Sequence, residues 1–473
     1  MGRRVFLQAA LAGMTLGWIM QSPAVGLDQP RPNVVIVFID DLGYGDLGCF
    51  GCPDIPTPKI DSLAANGVKC TSAYITNGPC SPSRCSLITG MYAQRFGKYS
   101  QMRGLAIPED HPTIAEFMRD AGYVTGHIGK WDIGSKPQGP LERGFIQVAR
   151  TPPRADGKHY WYVKEDGTVG FQIDQDGDFL VEFVENNHHK PFFLYYSPRA
   201  IHEPSHESPE HYRARCTAKG KRRELAGNLV ALDDAIGRLL AALKKHGLTQ
   251  KTLILLTSDN GGNPIVDARM DPYRGGKRSG TRYEGFVRVP TIASWPSVLP
   301  KGETYHGIMA AIDLYATTAG VAGKEPPERC DGVNLIPYLT GEKQGDAHKE
   351  IYWCQMSPKA TRPSFKAMRW KQWRLVGYRN EWHLFDIQAD PREEHNLAAA
   401  NPEIVQDMEK RWEAWRTTLG PMGTVNSSGG NQPKGYGWAT PEQSVSWPSW
   451  VGLRTEPPLG RKASPRTRSE IPR

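Results

Sequence analysis

The sequence predicts an α/β protein: a doubly wound, mostly parallel sheet, followed by a smaller antiparallel sheet and a closing helix. Three observations predict it. Continuous apolar, β-branched runs alternate with helical periodicities from Asn33 to about Ala319, as in a parallel sheet covered by helices. Two of these runs end in carboxylates, Asp40-Asp41 and Asp259, at the strand ends where open α/β sheets bind ligands. After Leu339-Thr340-Gly341 the texture changes to short aromatic segments separated by turns, which suits an antiparallel sheet.

Asn33–Ile39, bounded by Pro32 and Asp40, is a buried parallel strand. Thr57-Pro58 opens a helix that runs to Ala65 and is stopped by Asn66-Gly67. A strand over Val68–Ile75 leads toward Cys80, and Pro82 fits the first turn of a helix starting just after that cysteine. Pro112–Asp120 is a helix, and Gly122–Gly129 is a strand feeding Lys130-Trp131-Asp132. The polar, aromatic stretch Val148–Gly177 reads as surface loops or an inserted hairpin bordering a pocket. Phe192–Ser197 is a further buried strand, with His202 in the loop beyond it.

Leu225, Leu229, Leu232, Ile236, Leu239 and Leu243 recur at helical spacing, so Arg222–His246 is a long amphipathic helix stopped by Gly247. Thr252–Thr257 is a strand that runs into Ser258-Asp259-Asn260-Gly261-Gly262, whose glycines permit a tight approach. Val289–Ala293 reads as a strand and Ile308–Ala319 as a helix. The antiparallel strands are Ile351–Cys354, Phe365–Trp370, Trp373–Tyr378 and Trp382–Asp386, and Glu403–Thr417 is the closing helix. The organisation is a targeting segment (1–26), a catalytic domain (30–340), a C-terminal α+β subdomain (345–420) and a tail (421–473) whose end reads as disordered.

With 473 residues, 39% of them hydrophobic, the chain can bury a large core. Its formal net charge is +8, but residues 461–473 carry +4 of that and Arg3 and Arg4 another +2. The remainder is no nucleic-acid footprint. Arg3-Arg4-Val5-Phe6-Leu7 resembles a twin-arginine signal, and the apolar run to Met20 is shorter than a bilayer-spanning helix needs. Export to the periplasm or beyond is expected, with no stable membrane insertion. Of eight cysteines, setting Cys80 aside leaves an odd number, so at least one thiol stays free or pairs between chains. Cys49 and Cys52 have C-x-x-C spacing without a second pair, which fits a local disulfide or two buried thiols better than zinc.

Cys80 would sit at a helix N-terminus, where free N–H groups favour an anion, with Arg84 one turn on. Taken alone it reads rather as a buried cysteine before an ordinary helix. Asp40 and Asp41 are costly to bury without a counter-charge. A metal answers that cost, and so does one helix cap beside one solvated aspartate. By themselves Lys130 and Lys277 read as solvated lysines and His202 as a loop histidine.

The run Cys80-Ser81-Pro82-Ser83-Arg84, closed by Leu87-Ile88-Thr89-Gly90, resembles the signature of the type I, formylglycine-dependent sulfatases of the alkaline phosphatase superfamily. Pro79 departs from the small aliphatic residue more usual before that cysteine. The similarity runs in block order from about Asn33 to about Leu419. It implies that a maturation enzyme oxidises Cys80 to Cα-formylglycine, whose hydrated aldehyde attacks sulfur. It also implies one Ca²⁺ held by Asp40, Asp41, Asp259, Asn260 and residue 80, an all-oxygen set for a hard cation. On the same grounds Lys130 and Lys277 bind the sulfate, Arg84 holds the nucleophile and His202 serves the leaving oxygen. The implied activity is hydrolysis of a sulfuric ester, with a sulfated small molecule or saccharide as substrate.

One position departs from the pattern. The family continues Gly-Lys-Trp-His, and this chain has Asp132 in place of the histidine. Asp132 could act as the base that collapses the sulfated enzyme, hold a cationic or hydroxyl group of the substrate, or face Lys136; His127 is a weaker stand-in. Two other functions stay in view: a phosphonate or phosphate monoester hydrolase on the same scaffold, and a non-catalytic sulfoglycan-binding protein.

Overall fold

The computed structural model describes residues 31–101, 107–134, 138–149, 155, 160–164, 166–203, 208–278, 283–356, 363–378, 381–421 and 450–452. The expected targeting segment and nearly all of the tail lie outside these residues. Nine strands form one sheet in the order Glu303–Tyr305, Val68–Cys70, Thr291–Ser294, Thr252–Ser258, Asn33–Ile39, Phe192–Ser197, Val124–Gly129, Gln147–Ala149, Trp450–Gly452. The four strands from Thr252–Ser258 to Val124–Gly129 run parallel. Thr291–Ser294 and Trp450–Gly452 run antiparallel to their neighbours.

The central strand is buried along its whole length because both faces of the sheet are covered. Val34, Ile36 and Phe38 join one core cluster, while Val35, Val37 and Ile39 join the other, the alternation a strand imposes. The second cluster takes the apolar stripe of helix Arg222–Lys245, with Leu225, Leu229, Leu232, Ile236, Leu239 and Leu243 all buried. Each such side chain stabilises the fold by about 1.5–3 kcal/mol. The first cluster holds the helix Cys80–Thr89 and continues without a break into the C-terminal four-stranded antiparallel sheet and helix Pro402–Arg416. That sheet is a meander of Glu350–Gln355, Phe365–Trp370, Trp373–Tyr378 and Glu381–Asp386.

Three local expectations are corrected. The polar stretch ending at Gly177 contains a hairpin, Trp161–Val163 with Val169–Phe171, but also the first turns of a helix, Gln172–Asn187. Its buried face includes Asp176 and Gly177 beside Ile173, Leu180 and Phe183, so polar residues hide the helical period. The expected helix over Ile308–Ala319 begins only at Asp313. The Asp313 carboxylate accepts the Ala310 N–H at 2.7 Å, and Met309–Ala310 instead pairs with Ala73–Tyr74. The expected strand Val68–Ile75 is thereby split, Val68–Cys70 staying in the large sheet and Ala73–Tyr74 leaving it. In the tail, Trp450–Gly452 adds a strand at the sheet edge beside Gln147–Ala149. All eight cysteines are free thiols, and Cys49 and Cys52 are half-buried.

Candidate active site

Register brings the acidic residues together. Ile39 is paired with Ser258, so Asp40 and Asp259 leave adjacent parallel strands side by side. Asp41 turns through a left-handed conformation (φ 66°), and its N–H donates to Asp259 Oδ1 at 3.2 Å. Gly261 is required behind them, since a Cβ there would lie 1.8 Å from the Gly285 carbonyl oxygen. Helix Cys80–Thr89 points its N-terminus at the same spot; all ten of its residues are buried, which is why it lacks an amphipathic pattern. Cys80 is its first residue, one position further into the helix than expected. Lys130 follows strand Val124–Gly129 and is anchored by its N–H to the Ser197 carbonyl at 2.7 Å.

The side chains interlock. Lys130 Nζ lies 2.7 Å from Asp40 Oδ2, and Lys277 Nζ lies 2.7 and 2.9 Å from the two oxygens of Asp41. Arg84 Nη2 pairs with Asp259 Oδ2 at 2.6 Å and stands 3.7 Å from Asp40 Oδ1. Its Nη1 donates to Ser197 Oγ and to the Lys130 carbonyl. Cys80 Sγ faces Asp40 Oδ1 at 3.5 Å, Asn260 Oδ1 at 3.6 Å and Lys277 Nζ at 3.4 Å. Three buried carboxylates thus meet three buried cations, which offsets the several kcal/mol that each would cost alone.

Ionisation follows from that packing. Burial, reinforced by Asp259 and Asp40, holds the Cys80 thiol well above its usual range. Burial works against the charge on Lys130 and Lys277, yet the facing carboxylates win and raise both ammonium groups. Burial likewise opposes ionisation of Asp40, but Lys130, His202, Arg84 and Lys277 keep it well below the usual carboxylate range. Asp259 is pushed up by burial and by Asp40. His202 is lowered to about 4, because burial outweighs the attraction of Asp40 and Asp41. Its Nδ1 bonds the Glu203 carbonyl, which leaves Nε2 available.

Asp40, Asp41, Cys80 and His202 bring potential ligand atoms within 4.8 Å of one another. Asn260 adds an amide oxygen facing Cys80, while its nitrogen donates to Asp41 at 2.7 Å. Asp259 stands slightly apart from this group, its oxygens taken by Arg84 and the Asp41 N–H. The donor set suits a hard cation through its oxygens; the protonated thiol and the His202 nitrogen are the members that do not.

These residues open on a cavity of about 350 Å³ lined by Pro79, Cys80, Gln101, Lys130, Asp132, His202, Lys277, Arg278, Phe286 and Gln355. Asp132 lines it as well, with Lys130 Nζ 3.7 Å away; Lys136 lies outside the described residues. His127 is no substitute for the missing histidine. Trp131, Phe145 and Tyr195 surround it, burial lowers it to about 3, and it is not among the lining residues. Gln101, Arg278, Phe286 and Gln355 were not singled out in the sequence. Gln355 comes from the C-terminal sheet and donates to the Gly78 carbonyl at 2.9 Å, a contact that no local pattern announces.

A mostly parallel sheet with carboxylates at adjacent strand ends, facing a buried helix N-terminus, defines an alkaline-phosphatase-like hydrolase fold. Residues 32–324 match the family described as Sulfatase, and residues 277–418 match the one described as N-sulphoglucosamine sulphohydrolase, C-terminal. The chain belongs to the sulfatase family and is a sulfuric ester hydrolase. It is 30% identical to arylsulfatase A of Homo sapiens, over 82% of this chain and 88% of that protein. It is 29% identical to N-acetylgalactosamine-6-sulfatase of Canis lupus familiaris, over 81% of this chain and 77% of that protein. Among solved structures it resembles Ps i-CgsB in complex with k-i-k-neocarrahexaose, with a TM-score of 0.76 and 29% identity over 84% of this chain and 95% of that one.

Proposed function

We propose that this enzyme hydrolyses sulfate esters of saccharides, with residue 80 matured to Cα-formylglycine. The observation that carries the reading is the meeting of Cys80 with Asp40, Asn260 and Lys277 at one cavity wall. A thiol held protonated among carboxylates is a poor nucleophile and a poor ligand for a hard cation. An oxygen-bearing residue at the position of its sulfur satisfies both requirements. Matured residue 80 supplies the oxygen nucleophile. Asp40, Asp41, Asn260 and residue 80 would hold one Ca²⁺, with Asp259 shared between it and Arg84; the ion supplies Lewis-acid polarisation and charge.

The remaining work falls to the chain's own side chains. Arg84 fixes Asp259 and the first turn of the helix, so residue 80 is aimed at the cavity. Lys130 and Lys277 remain charged and meet the sulfuryl oxygens, where negative charge has to be stabilised. His202, with Nε2 available, serves the ester oxygen as it departs. The saccharide class is supported by the neocarrahexaose bound in the Ps i-CgsB complex and by the N-acetylgalactosamine-6-sulfatase relative. Export is supported by the Arg3-Arg4 segment, and no helix among the described residues is long and apolar enough to cross a membrane.

The test is to express the protein with and without a formylglycine-generating enzyme. Mass spectrometry of the peptide holding residue 80 should show thiol replaced by aldehyde, in step with sulfate release from an aryl sulfate. Equal assays on an aryl phosphate should give far slower turnover. Metal analysis should find one calcium per chain, lost together with activity in Asp259→Ala. Full activity with an alkylatable Cys80, or after exhaustive chelation, would refute the reading.

A further inference from the structure

The cavity lining holds one carboxylate, Asp132, among the cations Lys130, Lys277 and Arg278, and the sulfate chemistry itself does not use it. We propose that Asp132, held in place by Gln101, selects the substrate: it requires a hydrogen-bond donor, a hydroxyl or ammonium, beside the sulfate ester and rejects a second anion there. The inference rests on the reading of this pocket as a sulfate-ester site.

Asp132 is built in rather than loosely placed. It adopts a left-handed backbone conformation (φ 50°), which Asp and Asn tolerate better than most residues. The loop carrying it is pinned on one side by the Lys130 N–H to Ser197 and on the other by the Trp131 indole N–H, which donates to the Gln138 carbonyl at 2.8 Å. Gln101 Nε2 donates to Asp132 Oδ2 at 3.2 Å, and Gln101 Oε1 accepts the Ser81 N–H at 3.1 Å. Both ends of that amide are therefore committed, and one of them is fixed to the residue next to the nucleophile position. Asp132 Oδ1 has no hydrogen-bond partner among the described residues, although the side chain is only 12% exposed and lines the cavity. A carboxylate oxygen left open toward a binding cavity can accept a donor, and the substrate is the one to bring it.

Two other roles fit less well. As a counter-ion Asp132 is redundant, since Lys130 already pairs with Asp40 at 2.7 Å and lies 3.7 Å from Asp132. As a base acting on residue 80 it makes no direct contact, since the polar partners of Cys80 Sγ are Asp40, Asn260 and Lys277. Its nearness to Lys130, which takes the sulfate, places the selected group close to the ester. A carboxylate there attracts hydroxyl or ammonium and repels sulfate or carboxylate.

The experiment compares three saccharides with the same ester sulfate and, on the adjacent carbon, a hydroxyl, a hydrogen or a second sulfate. The mature enzyme should favour hydroxyl over hydrogen by about 10- to 100-fold in kcat/KM, and over the second sulfate by more than about 100-fold. Asp132→Asn preserves shape and backbone preference, and should lower the hydroxyl-to-sulfate ratio by at least about tenfold. Gln101→Leu should lower it in the same direction by less, because the carboxylate stays but is no longer aimed. Affinities measured on Cys80→Ala protein, with and without Asp132→Asn, should repeat the pattern without any turnover. A ratio unchanged by Asp132→Asn in both formats, with thermal melts confirming the fold, would overturn the inference. Failure of the mature parent on a simple aryl sulfate would instead count against the sulfatase reading, and the binding format would still decide the role of Asp132.

Discussion

Two buried charge clusters in this molecule look alike and do different things. At the strand ends, Asp40, Asp41 and Asp259 face Arg84, Lys130 and Lys277 around a cavity. Where the C-terminal sheet meets the large domain, Arg374 pairs with Glu284 at 2.9 Å and with Glu393, and Glu393 accepts the Glu284 N–H at 2.6 Å. Tyr74 and Arg288 bond the other oxygen of Glu284 at 2.6 and 3.2 Å. Burial is equally complete in both: Asp40, Arg84, Glu284 and Arg374 are all 0% exposed. What separates them is the opening. None of the junction's charged residues lines the cavity, whereas the strand-end cluster presents Lys130, Lys277 and residue 80 to it. Buried charge alone therefore does not mark a site; buried charge around a nucleophile position and a cavity does. The junction reaches the site through Phe286, two residues after Glu284, which forms part of the cavity wall, and through Gly285, whose carbonyl packs against Gly261.

The comparison breaks most visibly at residue 80. Cys80→Ala should cut sulfate release by more than about 10⁴-fold, while the melting temperature stays within about 3 °C of the parent. Retained turnover, or a collapse of the fold, would mean that the cysteine is spent on packing.

The junction should respond in the opposite sense. Arg374→Met leaves Glu393 buried without its guanidinium and Glu284 with Arg288 as its remaining cation, and should cost about 3–5 kcal/mol of stability. The protein that remains folded should largely keep its ester turnover. An unchanged denaturant midpoint would show the junction to be less important for stability than its burial suggests; a large loss of turnover per folded molecule would join it to the site.

The smallest expected effect comes from a carboxylate outside either cluster. Asp176 is buried in helix Gln172–Asn187 and accepts from Gln172 at 2.9 Å and Tyr196 at 3.4 Å, with no cation paired to it among the described residues. Burial raises it to about 7. The native state then holds a proton that the unfolded chain has already lost, so stability should fall as pH rises from about 4 to about 7. Asp176→Asn should flatten that slope and gain on the order of 1–2 kcal/mol at neutral pH. Urea midpoints at several pH values check this; parallel curves for the two proteins would mean that Asp176 ionises freely.

Several of the local elements were legible because they depend on short-range patterns. Asn33–Ile39 and Phe192–Ser197 have the expected bounds, and the antiparallel strands fall within a residue of expectation, since continuous apolar runs and turn residues act over a few positions. Gln172–Asn187 was hidden by its own buried polar residues, and the start of helix Asp313–Val321 was set by a strand pairing 236 residues away, Met309 with Ala73. The site divides in the same way. The sequence by itself determined Cys80, Arg84, the acidic strand ends, the lysines and His202 as candidates through the family motifs they match; taken singly, the lysines read as solvated and His202 as a loop residue. Only the tertiary structure decided that Asp259 is bound to Arg84, that Gln101 aims Asp132, and that Gln355 crosses from the C-terminal sheet to the cavity. Those contacts depend on strand register and on packing between distant segments, and no local spacing encodes either.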